Sequence, residues 1–508
     1  MVIDGCGIGA APDAAIFGDQ PTCNSLANTA RRLGGLSLPA LEKLGLGKIA
    51  AIDGLNKNSK TNGLFGKLRE RSNGKDTQTG HWEMMGVVSS KAFPLYPEGF
   101  PKEVIDEFIE KTGCRGILCN KPASGTDVLD ELGDEHSRTG YPIVYTSGDS
   151  VFQIATNVDV IPLATLYKWC EIARDILQGP HRVGRVIARP FRRDQGHSGG
   201  AGNGESGGRG GRDSSGKGGS DARGNGADSA SISGAHGSSG SSSGSVGSSS
   251  CDKGRYKRLS GERRDYAVPP PEATLLDRVK ATGYGVLGIG KIEDIFVGHG
   301  LTHARHTGSN QEGLELTLKA IERELDLNEM IVHSRKMSSS ELAGNEMSIR
   351  SSEVYSNGMS VRASDSYSSD IQMSNEVQLI FTNLVDTDSL YGHRRDVPGY
   401  GKALTEIDCW TSKIIDAMND EDLLLISSDH GNDPTAPGTD HTREYVPLLA
   451  YSPIISKQAK DSGDFGDFGD FGNFGERDGF VDIAATLASW LGVEWNGLGK
   501  SVIATVPK

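Results

Sequence analysis

The chain reads as an α/β protein built on a mainly parallel sheet. Short apolar runs alternate with stretches of helical period along most of its 508 residues, the order that buries a parallel sheet between helices. Several of the apolar runs end directly in Asp or in Ser-Asp-His, and in such sheets ligands collect at the carboxyl ends of the strands. The length exceeds what one hydrophobic core usually holds, so a second domain is expected.

Taken in order, strands are predicted at Val2–Asp4, Ile143–Thr146, Gly285–Ile289, Leu379–Val385, Leu423–Ser427 and Val446–Tyr451. Each is rich in Val, Ile or Leu, as suits a strand buried on both faces. A helix is predicted over Gly401–Met418, where Leu404, Ile407, Trp410, Ile414 and Met418 recur at helical spacing, and another over Phe480–Leu491. The first strand opens at Met1-Val2-Ile3 with nothing ahead of it. A leader, or further strand residues, upstream of this start remains an open expectation.

Three segments stand apart in composition. Residues 196–251 are dominated by Gly and Ser with almost no large apolar side chain. Such a stretch buries too little surface to offset the cost of ordering its backbone, so it is read as a disordered linker. It has no preceding strand and no GxGxxG opening a helix, which sets aside a phosphate-cradling loop. Residues 336–375 are rich in Ser, Met and Glu without a clear period, and residues 464–475 repeat Asp-Phe-Gly and end in Asn-Phe-Gly. That triplet holds magnesium in kinases, but neither a VAIK strand nor an HRD loop accompanies it; the nearest run is His393-Arg394-Arg395-Asp396. The repeat is therefore read as an expanded surface loop.

The net charge is −14 and no aromatic-spaced Lys/Arg run occurs, which argues against a nucleic-acid partner. No apolar run approaches the length of a membrane span. The seven cysteines form no CxxC pair; their odd number argues against a disulfide framework and for a reducing, cytoplasmic setting.

Chemistry concentrates at strand ends. The first strand ends in Asp4, followed by the flexible Gly5-Cys6-Gly7-Ile8-Gly9. The run ending at Val385 leads into Asp386-Thr387-Asp388, with His393 five residues on. The run ending at Ser427 leads into Ser428-Asp429-His430, and His441 follows a loop containing Pro and Gly. One such Asp is usually a turn former or helix cap, and one such His a hydrogen-bonded structural residue. Together, three strands deliver carboxylates to one edge and two of them add three imidazoles. That set exceeds the needs of one ion and suits two, with manganese or zinc better matched than magnesium to mixed Asp/His ligation. A nucleophile is offered by Gly74-Lys75-Asp76-Thr77-Gln78-Thr79-Gly80-His81, hydroxyl residues placed at a helix start, where the plain alternative is an N-cap. Beside two cations a threonine hydroxyl loses its proton far more readily.

At these residues the sequence resembles the alkaline phosphatase superfamily and, within it, the phosphopentomutases. The resemblance rests on residues 4–13 (DGCGIGAAPD), 74–86 (GKDTQTGHWEMMG), 120–126 (NKPASGT), 145–153 (YTSGDSVFQ), 184–191 (GRVIARPF) and 264–266 (RDY). It continues through 288–296 (GIGKIEDIF), 382–396 (TNLVDTDSLYGHRRD), 427–433 (SSDHGND) and 440–447 (DHTREYVP). It spans nearly the whole chain outside the three biased segments.

The resemblance implies that Thr77 is the phosphorylated nucleophile, with Thr79 the weaker candidate. It implies one metal on Asp4, Asp429 and His430, and a second on Asp388, His393 and His441, with the Thr77 oxygen bridging them. Asp149, Arg189 and Arg263 are implied to face the sugar phosphate, and Lys291 is a further candidate contact. The implied architecture is an alkaline-phosphatase-like core of residues 1–89 and 272–508 with an inserted smaller α/β cap of residues 90–271. The Gly/Ser tract falls inside that cap, and its two ends are expected to meet in space. The implied activity interconverts ribose or deoxyribose 1-phosphate and 5-phosphate, with two divalent ions, most suitably manganese, and a sugar bisphosphate to prime the enzyme. Rival readings are a phosphatase or phosphoglycerate mutase on the same metal core, and a non-catalytic binding protein.

Overall fold

A computed structural model describes residues 1–147, 150–194, 255–332, 376–461 and 472–503. The apolar runs assemble into two sheets. The larger has eight strands: β1 (Val2–Ile3), β2 (Leu64–Arg69), β9 (Gly285–Ile289), β10 (His303–Arg305), β11 (Val377–Leu384), β12 (Leu424–Ser427), β13 (Val446–Tyr451) and β14 (Asn473–Asp478), in the spatial order β10-β9-β11-β1-β12-β13-β2-β14. β10, β9, β11, β1 and β12 run parallel; β13 is antiparallel to both β12 and β2, and β14 runs parallel to β2. Apolar side chains cover both faces. Val2, Phe381, Leu425 and Ile483 pack on one side, and Ile3, Leu384, Leu404 and Ile426 on the other.

The predicted strands at Gly285–Ile289 and Val446–Tyr451 form as expected, and those ending at Val385 and Ser427 form with ends shifted by one or two residues. The helix expected over Gly401–Met418 starts earlier, spanning Val397–Ala417, because the Asp396 carboxylate accepts the Gly399 amide at 3.0 Å and Pro398 sits in its first turn. One expectation is corrected. The last unit of the Asp-Phe-Gly repeat is not loop: Asn473-Phe474-Gly475 opens the edge strand β14. The cause lies in the neighbour, since a Cβ on Gly66 of β2 would stand 2.3 Å from the Phe474 ring. Only glycine lets that ring lie on the strand. Residues 196–251, 336–375 and 464–471 otherwise fall outside the described residues, apart from the return at Arg255 described next.

The second sheet contains β3 (Leu118–Pro122), β4 (Ile143–Thr146), β5 (Val151–Asn157), β6 (Arg185–Arg193), β7 (Tyr256–Arg258) and β8 (Arg264–Ala267). All six fall within residues 90–271, the stretch assigned to the cap. Both ends of the Gly/Ser tract are tied to this sheet. Arg193 on β6 lies opposite Tyr256 on β7, and the Asp194 amide donates to the Arg255 carbonyl at 2.8 Å. No helix among the described residues is long and apolar enough to cross a membrane.

Candidate active site

The carboxyl ends of β1, β11 and β12 converge at the middle of the larger sheet. Asp4 follows β1 and Asp429-His430 follow β12, while Asp388 and His393 lie on the wide helical turn after β11. Gly5 makes the turn after Asp4 with φ of 72°, and a Cβ there would press on Asn432 and Asp388 at 3.0 and 3.2 Å. His441 arrives on the loop before β13. The nucleophile motif begins a helix, Thr77–Met84, after β2.

Two three-residue clusters result: Asp4, Asp429 and His430, and Asp388, His393 and His441, each with ligand atoms within 4.8 Å of one another. His430 Nε2 lies 3.4 Å from Asp4 Oδ1 and 3.3 Å from Asp429 Oδ2. His441 Nε2 lies 3.3 Å from Asp388 Oδ1, and His393 Nε2 lies 3.4 Å from Asp388 Oδ2. The clusters share a wall, because the His430 and His441 rings stack with centroids 3.8 Å apart. Asp386, also at this strand end, turns away and exchanges hydrogen bonds with Asn310.

The chemistry of these groups fits divalent cations. Backbone carbonyls face the Nδ1 atoms of His393, His430 and His441: Thr439 O at 2.6 Å, Gly431 O at 3.1 Å and Lys75 O at 2.9 Å. A carbonyl only accepts, so each Nδ1 carries the proton and each Nε2 turns a lone pair into the site. His393 Nε2 and His441 Nε2 then face each other at 3.2 Å with no proton between them. Asp4 Oδ1 and Asp429 Oδ2, both fully buried, have no hydrogen-bond partner among the described residues. Burial, followed by the charges of Asp429 and Asp388, pushes Asp4 well above the usual carboxylate range. Buried acceptors left without donors, beside aligned imidazole lone pairs, are what a cation site requires.

Thr77 meets this wall from above. Its hydroxyl lies 3.2 Å from His430 Nε2, at the first position of its helix, where the helix dipole favours negative charge. Gly80 permits the approach, since a Cβ there would lie 2.2 Å from the Asp429 carbonyl oxygen. The cap of the helix is Asp76, which accepts the Gln78 and Thr79 amides, each at 3.1 Å. Thr79 is tied to that cap, its hydroxyl 2.7 Å from Asp76 Oδ2.

The cap-side residues also gather. Arg189 on β6 has a buried Nε with no partner among the described residues, and burial followed by the nearby Arg263 charge lowers its pKa to about 10. Arg263 is bound two-pronged by Asp265, at 2.8 and 2.7 Å. Lys291 precedes the helix Ile292–Phe296, and its charge acts on Asp4 and Asp386; Arg263 and Asp265 act on Asp294 of the same helix. Arg263 thus lies near enough to the helix after Lys291 for its charge to act there. Asp149 lies outside the described residues.

Two residues of this site were missed in sequence. His81 is fully buried, with Nδ1 at 2.8 Å from Thr77 O and 3.3 Å from Asp429 Oδ2, and Nε2 at 3.1 Å from Asn383 Nδ2. Its place one turn after Thr77 was the available signal. Arg443 binds Asp13, the Glu70 side chain and carbonyl, and the carbonyls of Ser72 and Gly74. Nothing in its local sequence reveals those distant partners.

Buried carboxylates and imidazoles at one sheet edge, met by a helix-borne hydroxyl, describe a metalloenzyme. The profile of the Metalloenzyme superfamily matches residues 1–495. The chain is 40% identical over 507 residues to the phosphopentomutase of Caldanaerobacter subterraneus subsp. tengcongensis, covering 100% of this chain and 97% of that one. It is also 40% identical over 508 residues to the phosphopentomutase of Carboxydothermus hydrogenoformans, covering 100% and 98%. Among solved structures, the phosphoglycerate mutase of Leishmania mexicana is similar over 46% of this chain and 40% of that one, at 13% identity and a TM-score of 0.29. The chain belongs to the phosphopentomutase family, and it is an isomerase of the phosphotransferase kind.

Proposed function

We propose that this enzyme interconverts the 1- and 5-phosphates of ribose or deoxyribose through a phosphorylated Thr77 and a sugar bisphosphate. The observation that carries the reading is the Thr77 hydroxyl, 3.2 Å from His430 Nε2 on the wall shared by the two clusters. Asp4, Asp429 and His430 would hold one divalent ion and Asp388, His393 and His441 the other, with manganese the expected metal. Such ions supply positive charge that lowers the pKa of a bridging hydroxyl and offsets charge on the transferring phosphoryl oxygens.

The chain's own residues do the rest. The helix opening at Thr77 turns the positive end of its dipole toward the phosphoryl group. The sugar monophosphate is seated on the cap side by Arg189 and Arg263, whose planar forks suit phosphate, together with Asp149 and Lys291. In the first half-reaction the Thr77 O–P bond breaks as a sugar hydroxyl forms its own O–P bond, and the hydroxyl proton ends on the threonine oxygen. The bisphosphate turns over, and Thr77 takes back the other phosphoryl group by the reverse exchange. A sugar bisphosphate primes the bare enzyme. The substrate is a small pentose phosphate, with no nucleic-acid or membrane partner, and the setting is cytoplasmic.

The test is intact mass with peptide mapping after incubation with a pentose or glucose bisphosphate. The protein should gain one phosphate on Thr77, and Thr77→Ala should lose mutase turnover while keeping its fold and metals. An active Thr77→Ala enzyme without a phosphopeptide would move the reading to a hydrolase, and phosphate on Thr79 would reassign the nucleophile.

A further inference from the structure

Gln78 follows Thr77 directly on the helix Thr77–Met84 and is 5% exposed. Its side chain ends where the chain crosses between the two sheets. Nε2 lies 3.5 Å from the Val268 carbonyl, and Oε1 lies against Gly184, the residue before β6. The outgoing and returning crossings meet there. Phe93, on the way out, sets its ring edge-on to Trp82 of the same helix, with centroids 5.8 Å apart. Val268, on the way back, donates its amide to Gly184 O at 3.1 Å and packs in the apolar cluster of Trp82, Met84 and Met85.

The backbone of Gly184 lies outside the left-handed region, so its conformation is open to any residue. A Cβ there would stand 3.4 Å from Ser150 O and 3.5 Å from the Phe93 ring, which are ordinary contacts, but only 2.6 Å from Gln78 Oε1. Position 184 is bare because of Gln78. What the pair joins is functional. On one side is the neighbour of the nucleophile, and on the other the start of the strand that carries Arg189 five positions on, roughly 16 Å along it. β6 pairs with β5 from Arg185 through Phe191 and with β8 from Arg185 through Ala188. A strand held on both sides moves as a unit, so a displacement at Gly184 is carried to Arg189.

We propose that Gln78 is a spacer: a positioning residue that, seated on Gly184, fixes the distance between Thr77 and Arg189. The spacer role rests on the reading in which Arg189 and Arg263 hold one phosphate while Thr77 exchanges the other. The two phosphates of a sugar bisphosphate stand a nearly fixed distance apart, and the intermediate presents each in turn to the threonine oxygen. A gap that is too wide or too narrow leaves the sugar hydroxyl short of the phosphoryl group, and water takes its place. The Thr77 O–P bond then breaks as a water oxygen forms the new O–P bond. One water proton ends on the threonine oxygen, and inorganic phosphate leaves. The spacer thus keeps transfer ahead of hydrolysis without touching the substrate.

The test compares the metal-loaded enzyme with Gln78→Ala, Gln78→Met, Gly184→Ala and the double variant Gln78→Ala/Gly184→Ala. Gln78→Ala empties the contact and Gly184→Ala overfills it. Each should lower kcat by about 10- to 100-fold and raise the inorganic phosphate released per turnover, with metal content unchanged. Gln78→Met keeps the reach of the side chain and should stay within about threefold of wild type. The double variant puts a Cβ where the shortened side chain leaves room, and should turn over about tenfold faster than either single alanine variant. Wild-type kcat in either single alanine variant, or losses that multiply in the double variant, overturns the pairing. A Gln78→Met rate as low as that of Gln78→Ala overturns the spacer role in favour of the amide's contact with Val268. Rate losses that track a falling Tm overturn it in favour of packing alone. A wild-type enzyme that turns over without a phosphopeptide fails the Thr77 reading instead, and the kcat pattern of the variants still decides whether this pair sets the gap.

Discussion

Replacing Arg443 by methionine removes a buried cation from between two acidic residues and three backbone carbonyls. Its side chain is 2% exposed, as is that of Glu70, and the two meet at 2.6 Å. Nη2 binds Asp13 at 2.9 Å and Glu70 O at 2.7 Å, and Nη1 reaches the carbonyls of Ser72 and Gly74. Arg443→Met leaves Glu70 as an uncompensated buried carboxylate, which typically costs about 3–5 kcal/mol. Arg443→Lys keeps the charge but cannot reproduce the planar fork, and losing part of the set costs about 1–3 kcal/mol. Those carbonyls lie on the segment that leads into Thr77, so loosening it displaces the nucleophile; a shift near 1 Å costs on the order of 100-fold in rate. The assay pairs denaturant unfolding with steady-state turnover and metal content in one preparation. Arg443→Met/Glu70→Leu should recover much of the stability and little of the rate. Wild-type kcat in Arg443→Lys at full metal content would refute the positioning role.

Elemental analysis should give two divalent ions per chain, and manganese should support the highest activity. Chelation should lower Tm, because ions at 100 times their Kd stabilise the folded state by about 2.7 kcal/mol per site; one ion or none in active protein contradicts the two-cluster reading. His393→Ala should empty one site while the Asp4 cluster keeps its ion.

The strands that sequence reveals are those buried on both faces. β9 and β13 are continuous apolar runs with polar flanks, and their bounds are legible to the residue. β6 mixes four arginines with its apolar residues, and β14 lies within a repeat, so neither shows a clean period. Their partners decide them: β6 through β5, β7 and β8, and β14 through the bare surface of Gly66. The metal clusters were legible because each ligand sits a few residues from a strand end, where chemistry and topology coincide. Arg443 and His81 were not, because their roles depend on groups far away in the chain: Glu70 is 373 positions from Arg443, and Asn383 is 302 from His81.

The nucleophile segment and the ligands are set by the same backbone. Lys75 O fixes the tautomer of His441, and Thr77 O meets the Nδ1 of His81, which itself lies beside Asp429. Arg443 fastens the start of this segment through Gly74 O, and Asp76 caps its helix through the Gln78 and Thr79 amides. Moving Thr77 therefore disturbs the carbonyl that holds His81 beside Asp429, and turning His441 disturbs the segment that carries Thr77. Phosphoryl transfer depends on an oxygen held in line between fixed charges. By drawing those hydrogen bonds from the nucleophile's own loop, the fold makes the placement of oxygen and charge one structural decision. That is why Gly80 matters as much as any ligand. Any side chain there would lift the helix from Asp429 and separate both halves of the site at once.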